Sequence, residues 1–201
     1  MSDPTTVQEF SARWEALTGK IFDLRDTVIP SGLKQALSEL DPDGPGSILV
    51  WETPLISGWD TAEWLREWGY DPVLVRFDSE RLVDEGGRPW ERGRLKAAAS
   101  EARVGISAGI WAVAHTGSVA FYGDRTRGLW PSLLPPVHLI VLSADTICRS
   151  LGEGLRRLAA EAGGIPPEVK LVTGPSSTGD IEGQSVIGVH GPGRVGILLV
   201  G

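Results

Sequence analysis

The apolar positions change their period along the chain. Val7, Phe10, Trp14 and Leu17 recur at helical spacing, with Thr6 and Glu9 set as a capping box and Gly19 as a stop, so the pattern predicts a first amphipathic helix. A second helical stripe starts near Ser31 and runs through Leu33, Leu37 and Leu40 to the breaker DPDGPG. SILVW (47–51) then reads as a buried strand. Asp60 and Glu63 repeat the capping pattern ahead of Trp64, Leu65 and Trp68, Gly69 ends that helix, and PVLVRF (72–77) closes a β-α-β unit. Residues 78–95 lack periodicity and read as a surface excursion into a helix from about Arg94 to Ala102. Beyond Val104 the texture becomes short apolar runs, VGIS, SVAFY, VHLIVL, VKLVT, SVIGV and VGILLV, with one helix from about Cys148 to Ala162. Strands alternating with helices predict an α/β class: a Rossmann-like three-layer domain with a largely parallel sheet over residues 46–201, preceded by an N-terminal helical arm over residues 1–45.

Composition narrows the reading. With 41% hydrophobic and 22% charged residues and a mean hydropathy of -0.02, the 201-residue chain is neither disordered nor fibrous in type. The net charge is -7, and all of it comes from residues 1–100, where 18 acidic face 11 basic side chains; residues 101–201 carry 8 of each. An acidic chain is poorly suited to phosphate-backbone binding, so no nucleic-acid partner is expected. A single cysteine, Cys148, cannot hold an iron–sulfur cluster or a structural zinc. The first residues lack the basic and apolar regions of a leader, and no apolar run reaches membrane-span length, which predicts a cytoplasmic protein.

Several motifs fail on context. Gly191–Gly196 satisfies GxGxxG but leads into a strand rather than a helix. Gly174–Gly179 has P-loop spacing, yet Asp180 stands where the phosphate-binding lysine belongs. No HExxH helix or paired CxxC occurs.

Three polar segments follow apolar runs, where open α/β sheets place ligands. Around His115, the group Thr116, Gly117 and Ser118 combines two hydroxyls with a glycine, either a capped hairpin turn or an anion loop. Thr173, Gly174, Ser176, Ser177 and Thr178 are denser in donors, and Asp180 and Glu182 follow them. His190 and Arg194 add a proton carrier and a fixed cation. We take Glu182, Asp180 and His190 as catalytic candidates, as base or nucleophile, and the hydroxyl and glycine positions with Arg194 as a small-anion site. A metal held by Asp180, Glu182 and His190 is the lesser alternative, and no cofactor is assigned. His138 reads as a hydrogen-bonded structural histidine. Of eight tryptophans, Trp59, Trp90 and Trp130 fall in loop contexts that suit a pocket or a partner surface.

In their order, VGIS, AHTGS, SLLPPVHLIVL, TGPSSTGDIEG and GVHGPGR resemble the lactate utilization C proteins of the LUD-domain family. His115 departs from that pattern, which has an acidic residue before Thr-Gly. The resemblance implies a Rossmann-like fold related to ribose-5-phosphate isomerase, coenzyme A transferases and formyltetrahydrofolate cyclo-ligase. It also implies a cytoplasmic bacterial subunit in the oxidation of L-lactate to pyruvate, working with an iron–sulfur subunit and a further redox subunit. The competing expectations are a free-standing enzyme acting on an acyl, sugar-phosphate or folate-like substrate and a tryptophan-rich interaction module.

Overall fold

The computed structural model describes residues 3–78, 81–123, 129–161, 168–179 and 185–201. In chain order these form α1 (Pro4–Ala16), β1 (Lys20–Asp23), α2 (Ile29–Leu40), β2 (Ser47–Trp51), α3 (Thr61–Glu67), β3 (Asp71–Asp78), β4 (Arg81–Val83) and α4 (Arg92–Glu101). They continue with β5 (Val104–Ala108), β6 (Trp111–Val113), β7 (Ser118–Tyr122), β8 (Val137–Ser143), β9 (Ile147–Cys148), α5 (Leu151–Glu161), β10 (Val169–Val172), β11 (Ser177–Gly179), β12 (Ser185–Ile187) and β13 (Arg194–Val200). A short 3-10 turn spans Trp130–Ser132.

The main sheet has the order β1-β13-β8-β5-β2-β3-β4, parallel except for the antiparallel edge strand β4. Its strands alternate strictly between two cores, as period-2 geometry requires. Val104 and Ile106 of β5, with Leu139 and Val141 of β8, face α2 and α3 through Leu33, Leu37 and Leu65. Ile140 and Leu142 of β8, with Ile197 and Leu199 of β13, face α1 through Phe10 and Trp14. Each of these fully buried aliphatic side chains contributes about 1.5–3 kcal/mol by leaving water.

The α/β class with a parallel sheet flanked by helices is as expected, with three differences. Residues 1–45 do more than form a helical arm: β1 pairs with β13 at the edge of the main sheet, and both helices close its cores. SVAFY and VKLVT do not join the parallel sheet. They pair antiparallel in a second sheet, β10-β7-β6-β9, laid over one face of the first; its Val119 and Phe121 face the main sheet, and Trp111, Ala120 and Cys148 pack with Leu155 of α5. Among the described residues, SVIGV pairs through β12 with β11 alone, antiparallel and apart from both sheets.

Helix starts also differ. α1 begins at Pro4 because Asp3 caps it, accepting from the Thr5 N–H at 3.1 Å, and Thr6 lies inside the helix on the buried face. α2 begins at Ile29, with Pro30 in the first turn. Asp60 precedes α3 without making a cap bond. Trp59, Trp90 and Trp130 are half-buried against the cores, and the Trp90 indole donates to the Leu74 carbonyl at 3.2 Å.

Gly105 of β5 is where the 3-10 turn comes closest: a Cβ there would stand 2.3 Å from the Pro131 carbonyl oxygen. Gly105→Ala is expected to destabilise the chain by about 1–3 kcal/mol through backbone overlap, a fall in Tm of roughly 2–12 °C for this length. Gly93→Ala in α4 meets nothing within 4 Å and should gain about 0.4–1 kcal/mol. Urea unfolding of the two variants should move the midpoint in opposite directions.

Candidate functional site: a polar cleft backed by a buried histidine

β10 ends at Val172, and the chain turns through Thr173–Ser176 toward β11. The Ser176 N–H donates to the Pro192 carbonyl at 2.8 Å, and the Gly188 N–H donates to the Ser176 carbonyl at 2.8 Å. These bonds hold the turn against residues 188–193 and leave a cleft of about 310 Å³ between them. Thr173, Gly174, Ser176 and Ser177 line it on one side and His190 and Pro192 on another, with His138, Lys170 and Ser132 deeper.

His138, on β8, is wholly buried on the face that carries Ile140. Its Nε2 lies 2.8 Å from the Ser107 hydroxyl of β5, while Nδ1 finds no partner among the described residues. Burial, with the charge of Lys170 added, pushes the imidazole down to about 3, so it stays neutral at physiological pH. Lys170 donates to the Ser132 carbonyl at 3.1 Å and lies 3.4 Å from its hydroxyl. Burial pushes this ammonium down to about 8, partly offset by the negative charge of Glu168. Among the described residues Lys170 makes no ion pair within 4 Å. It therefore presents to the cleft a cation partly offset by Glu168 but without an ion pair, flanked by hydroxyls and a neutral imidazole. That set suits a small carboxylate, which the ammonium would hold.

The expected site residues divide. Thr173, Gly174, Ser176, Ser177 and His190 meet in the cleft. Thr116, Gly117 and Ser118 form the hairpin turn between β6 and β7 and do not line it. Their hydroxyls instead make a chain, Thr116 Oγ1 to Ser118 Oγ at 2.8 Å and Ser118 Oγ to Thr173 Oγ1 at 2.9 Å, that ties the hairpin to the cleft rim. Gly117 and Gly174 have φ of 63° and 90°; a Cβ on Gly117 would meet the α1 backbone at Arg13, at 3.0 Å, and one on Gly174 the carbonyl of Leu17, just past the end of α1, at 2.8 Å. Close approach of the helix and its C-terminal cap explains both glycines without an anion. Arg194 is directed away, 3.8 Å from the exposed Asp43 carboxylate. His115 is exposed beside Glu9 at 3.9 Å. Asp180, Glu182 and the side chain of Thr178 lie outside the described residues.

Sequence reasoning passed over Lys170, Ser132 and Ser107. A lysine within the apolar run VKLV was a signal, since a cation on a strand that faces a core needs a reason. Gly105–Gly109, GISAG, also carries the spacing of a nucleophile elbow. Ser107 sits inside regular β5 rather than on a sharp strand-to-helix turn, so the elbow reading does not hold. The spacing instead places three small residues, 105, 107 and 109, on one face, and beside Ser107 lies a second cavity of about 290 Å³.

The fold is a Rossmann-like α/β domain, and its polar cleft lies where β10 ends and β8 and β13 begin. Residues 8–200 match the LUD domain, and the chain belongs to the LUD-domain family. It is 34% identical over 150 residues to the uncharacterized protein YkgG of Escherichia coli K12, covering 67% of this chain and 65% of that one. It is 30% identical over 143 residues to lactate utilization protein C of Bacillus subtilis 168, covering 65% and 60%. For the lactate utilization protein C of Halalkalibacterium halodurans the identity is 25% over 182 residues, covering 89% and 73%. The chain thus spans less than two thirds of the length of the first two. The crystal structure of a DUF162 family protein from Deinococcus radiodurans superposes with a TM-score of 0.64 at 18% identity, covering 100% of this chain and 99% of that one. No helix among the described residues is long and apolar enough to cross a membrane.

The two perturbed groups give a pH signature. Between pH 6.5 and about 3 the unfolded imidazole binds a proton that native His138 refuses, so His138 costs stability as pH falls through that window. Between about 8 and 10.5 the unfolded Lys170 amine binds more protons than the native one, so stability rises with pH there. In urea unfolding against pH, His138→Gln should remove about one proton from the acid slope, and Lys170→Met should flatten the alkaline rise.

Proposed function

We propose that the chain serves the oxidation of L-lactate to pyruvate as a subunit without iron–sulfur clusters, and that its polar cleft binds a small carboxylate of lactate size. One observation carries the ligand class: a half-buried lysine without a carboxylate partner among the described residues, set among hydroxyls at a strand-end cleft. Relatives named for lactate utilization support the pathway. With one cysteine, buried and hydrogen-bonded to the Ala112 carbonyl, electron transfer falls to an iron–sulfur subunit and a further redox subunit, on the cytoplasmic side.

Deleting the gene should abolish growth on L-lactate and spare growth on glucose, with rescue by the wild-type chain and not by Lys170→Met. Calorimetric titration with L-lactate should show affinity falling as pH rises through about 8, where Lys170 loses its proton. Lys170→Met should weaken binding by about 10- to 100-fold, the worth of a charge-assisted hydrogen bond. Its unliganded Tm should hold or rise, because the desolvated ammonium is gone. Normal lactate growth in the deletion strain would overturn the role, and pH-independent binding unaffected by Lys170→Met would overturn the site.

A further inference from the structure

The second cavity lies on the other side of the Ser107–His138 pair and has a different chemistry. It sits at the C-terminal ends of β2, β5 and β8. From β2 the chain proceeds to β3 on one side, while β5 returns to the other, so the order reverses between β2 and β5. Such reversals are where open α/β sheets hold ligands. Its 290 Å³ lies near the lower limit of small-molecule sites, about 300–1,000 Å³. Space exists there because Ser107 brings little volume to that face of β5.

The lining selects by charge, shape and hydrogen-bond polarity. No acidic or basic side chain lines the cavity among the described residues, whereas Trp51, Phe121 and Tyr122 do, which favours an uncharged flat ring. The hydroxyls are not equivalent. Ser132 Oγ donates its proton to the Leu129 carbonyl at 2.7 Å, and Thr146 Oγ1 donates to the Ser143 carbonyl at 2.7 Å. Both have spent their hydrogen, so each offers only a lone pair and calls for a ligand N–H, the Ser132 oxygen having Lys170 Nζ at 3.4 Å on its other side. Thr53 is the converse. Its carbonyl accepts from the N–H of Ile56 at 2.9 Å and of Ser57 at 2.8 Å, which fixes the loop, yet its hydroxyl is buried without a partner. A buried hydroxyl left unpaired costs stability, and a ring nitrogen able to accept its proton would recover that loss.

We propose that this cavity binds an uncharged, nitrogen-bearing aromatic heterocycle of nucleobase type, with an N–H edge on the Ser132 and Thr146 oxygens and a ring nitrogen accepting from Thr53. The base belongs either to a free nucleoside or to a phosphorylated one whose phosphate stays outside the cavity. This cavity and the anion cleft meet at Ser132, which lines both.

The test is calorimetric titration of the full chain with adenosine, guanosine, AMP, N6,N6-dimethyladenosine and menadione, a flat ring without N–H. Adenosine or guanosine should bind saturably. If it is adenosine, AMP should match it within a few-fold when the phosphate lies outside, and dimethylation of the amine should weaken binding about three- to tenfold, the worth of one neutral hydrogen bond. Menadione should bind more weakly than either nucleoside. Thr53→Val removes the hydroxyl at nearly constant volume: it should weaken nucleoside binding by the same three- to tenfold and leave the unliganded Tm unchanged or higher. Saturating L-lactate should not displace the nucleoside, which separates this site from the cleft. Three results would each overturn the proposal: no saturable nucleoside binding at millimolar concentration, menadione binding as well as the nucleosides with no effect of Thr53→Val, or binding of AMP alone that Lys170→Met removes.

Discussion

One face of β5 carries almost no side-chain volume, and much of the molecule is arranged around that deficit. At Gly105 the missing Cβ is replaced by the Pro131 backbone, which seats the 3-10 turn on the sheet; at Gly109, Val119 of the second sheet fills the gap. Between them Ser107 is small enough to leave a cavity and polar enough to bond His138, which stands opposite Gly105 on β8. A larger residue at any of the three would move the turn, the second sheet or the histidine. Because protein interiors are packed to crystal density, such displacements are not absorbed locally. The turn in turn supplies Ser132, whose carbonyl holds Lys170. The small residues of β5 therefore set the cation of the cleft at one remove.

A second constraint comes from α1. Its backbone presses on Gly117 and its C-cap, Leu17, on Gly174, the two turns that bracket the Thr116–Ser118–Thr173 chain of hydroxyls. These residue types look like an anion cradle in sequence, and the helix gives them a structural purpose. The same contact still matters to the site, because it fixes where Thr173 and the following residues enter the cleft. An N-terminal segment expected as an arm thus acts as a clamp on the cleft wall.

Periodicity made the two cores legible: the stripes Val7, Phe10, Trp14 and Leu33, Leu37, Leu40 are buried where helical spacing put them, apart from Leu17, which lies beyond the end of α1 and is exposed. Which strands would share a sheet was not legible, because SVAFY and VHLIVL are equally apolar runs. One pairs antiparallel in the small sheet and the other parallel in the large one, a difference set by chain connection and long-range contact rather than local pattern. At the site, the hydroxyl-rich stretch from Thr173 to Ser177 and His190 were readable because such density is costly in a mere connection. Arg194 was not. Its place at the start of β13 turns it toward Asp43, and nothing in the spacing distinguishes the two faces of a strand entry. Lys170 and His138 owe their character to what buries them, and burial by distant segments leaves no local trace.

The electrostatics of the cleft bear on the size of anion the proposed reading admits. His138 and Lys170 would both be cations if each kept its ordinary proton affinity at mildly acidic pH. Burial discharges the histidine first and leaves the lysine charged below about pH 8, so near neutrality this pair contributes one positive charge rather than two. A monocarboxylate balances that charge. A phosphate dianion would bring a second negative charge into a half-buried site with no further described cation to meet it, since Arg194 is committed outside, and would bear the corresponding desolvation cost. The neutral imidazole contributes differently: with Nε2 engaged by Ser107 and Nδ1 buried without a described partner, it backs the cleft without adding charge, which leaves the ammonium to set the ligand class.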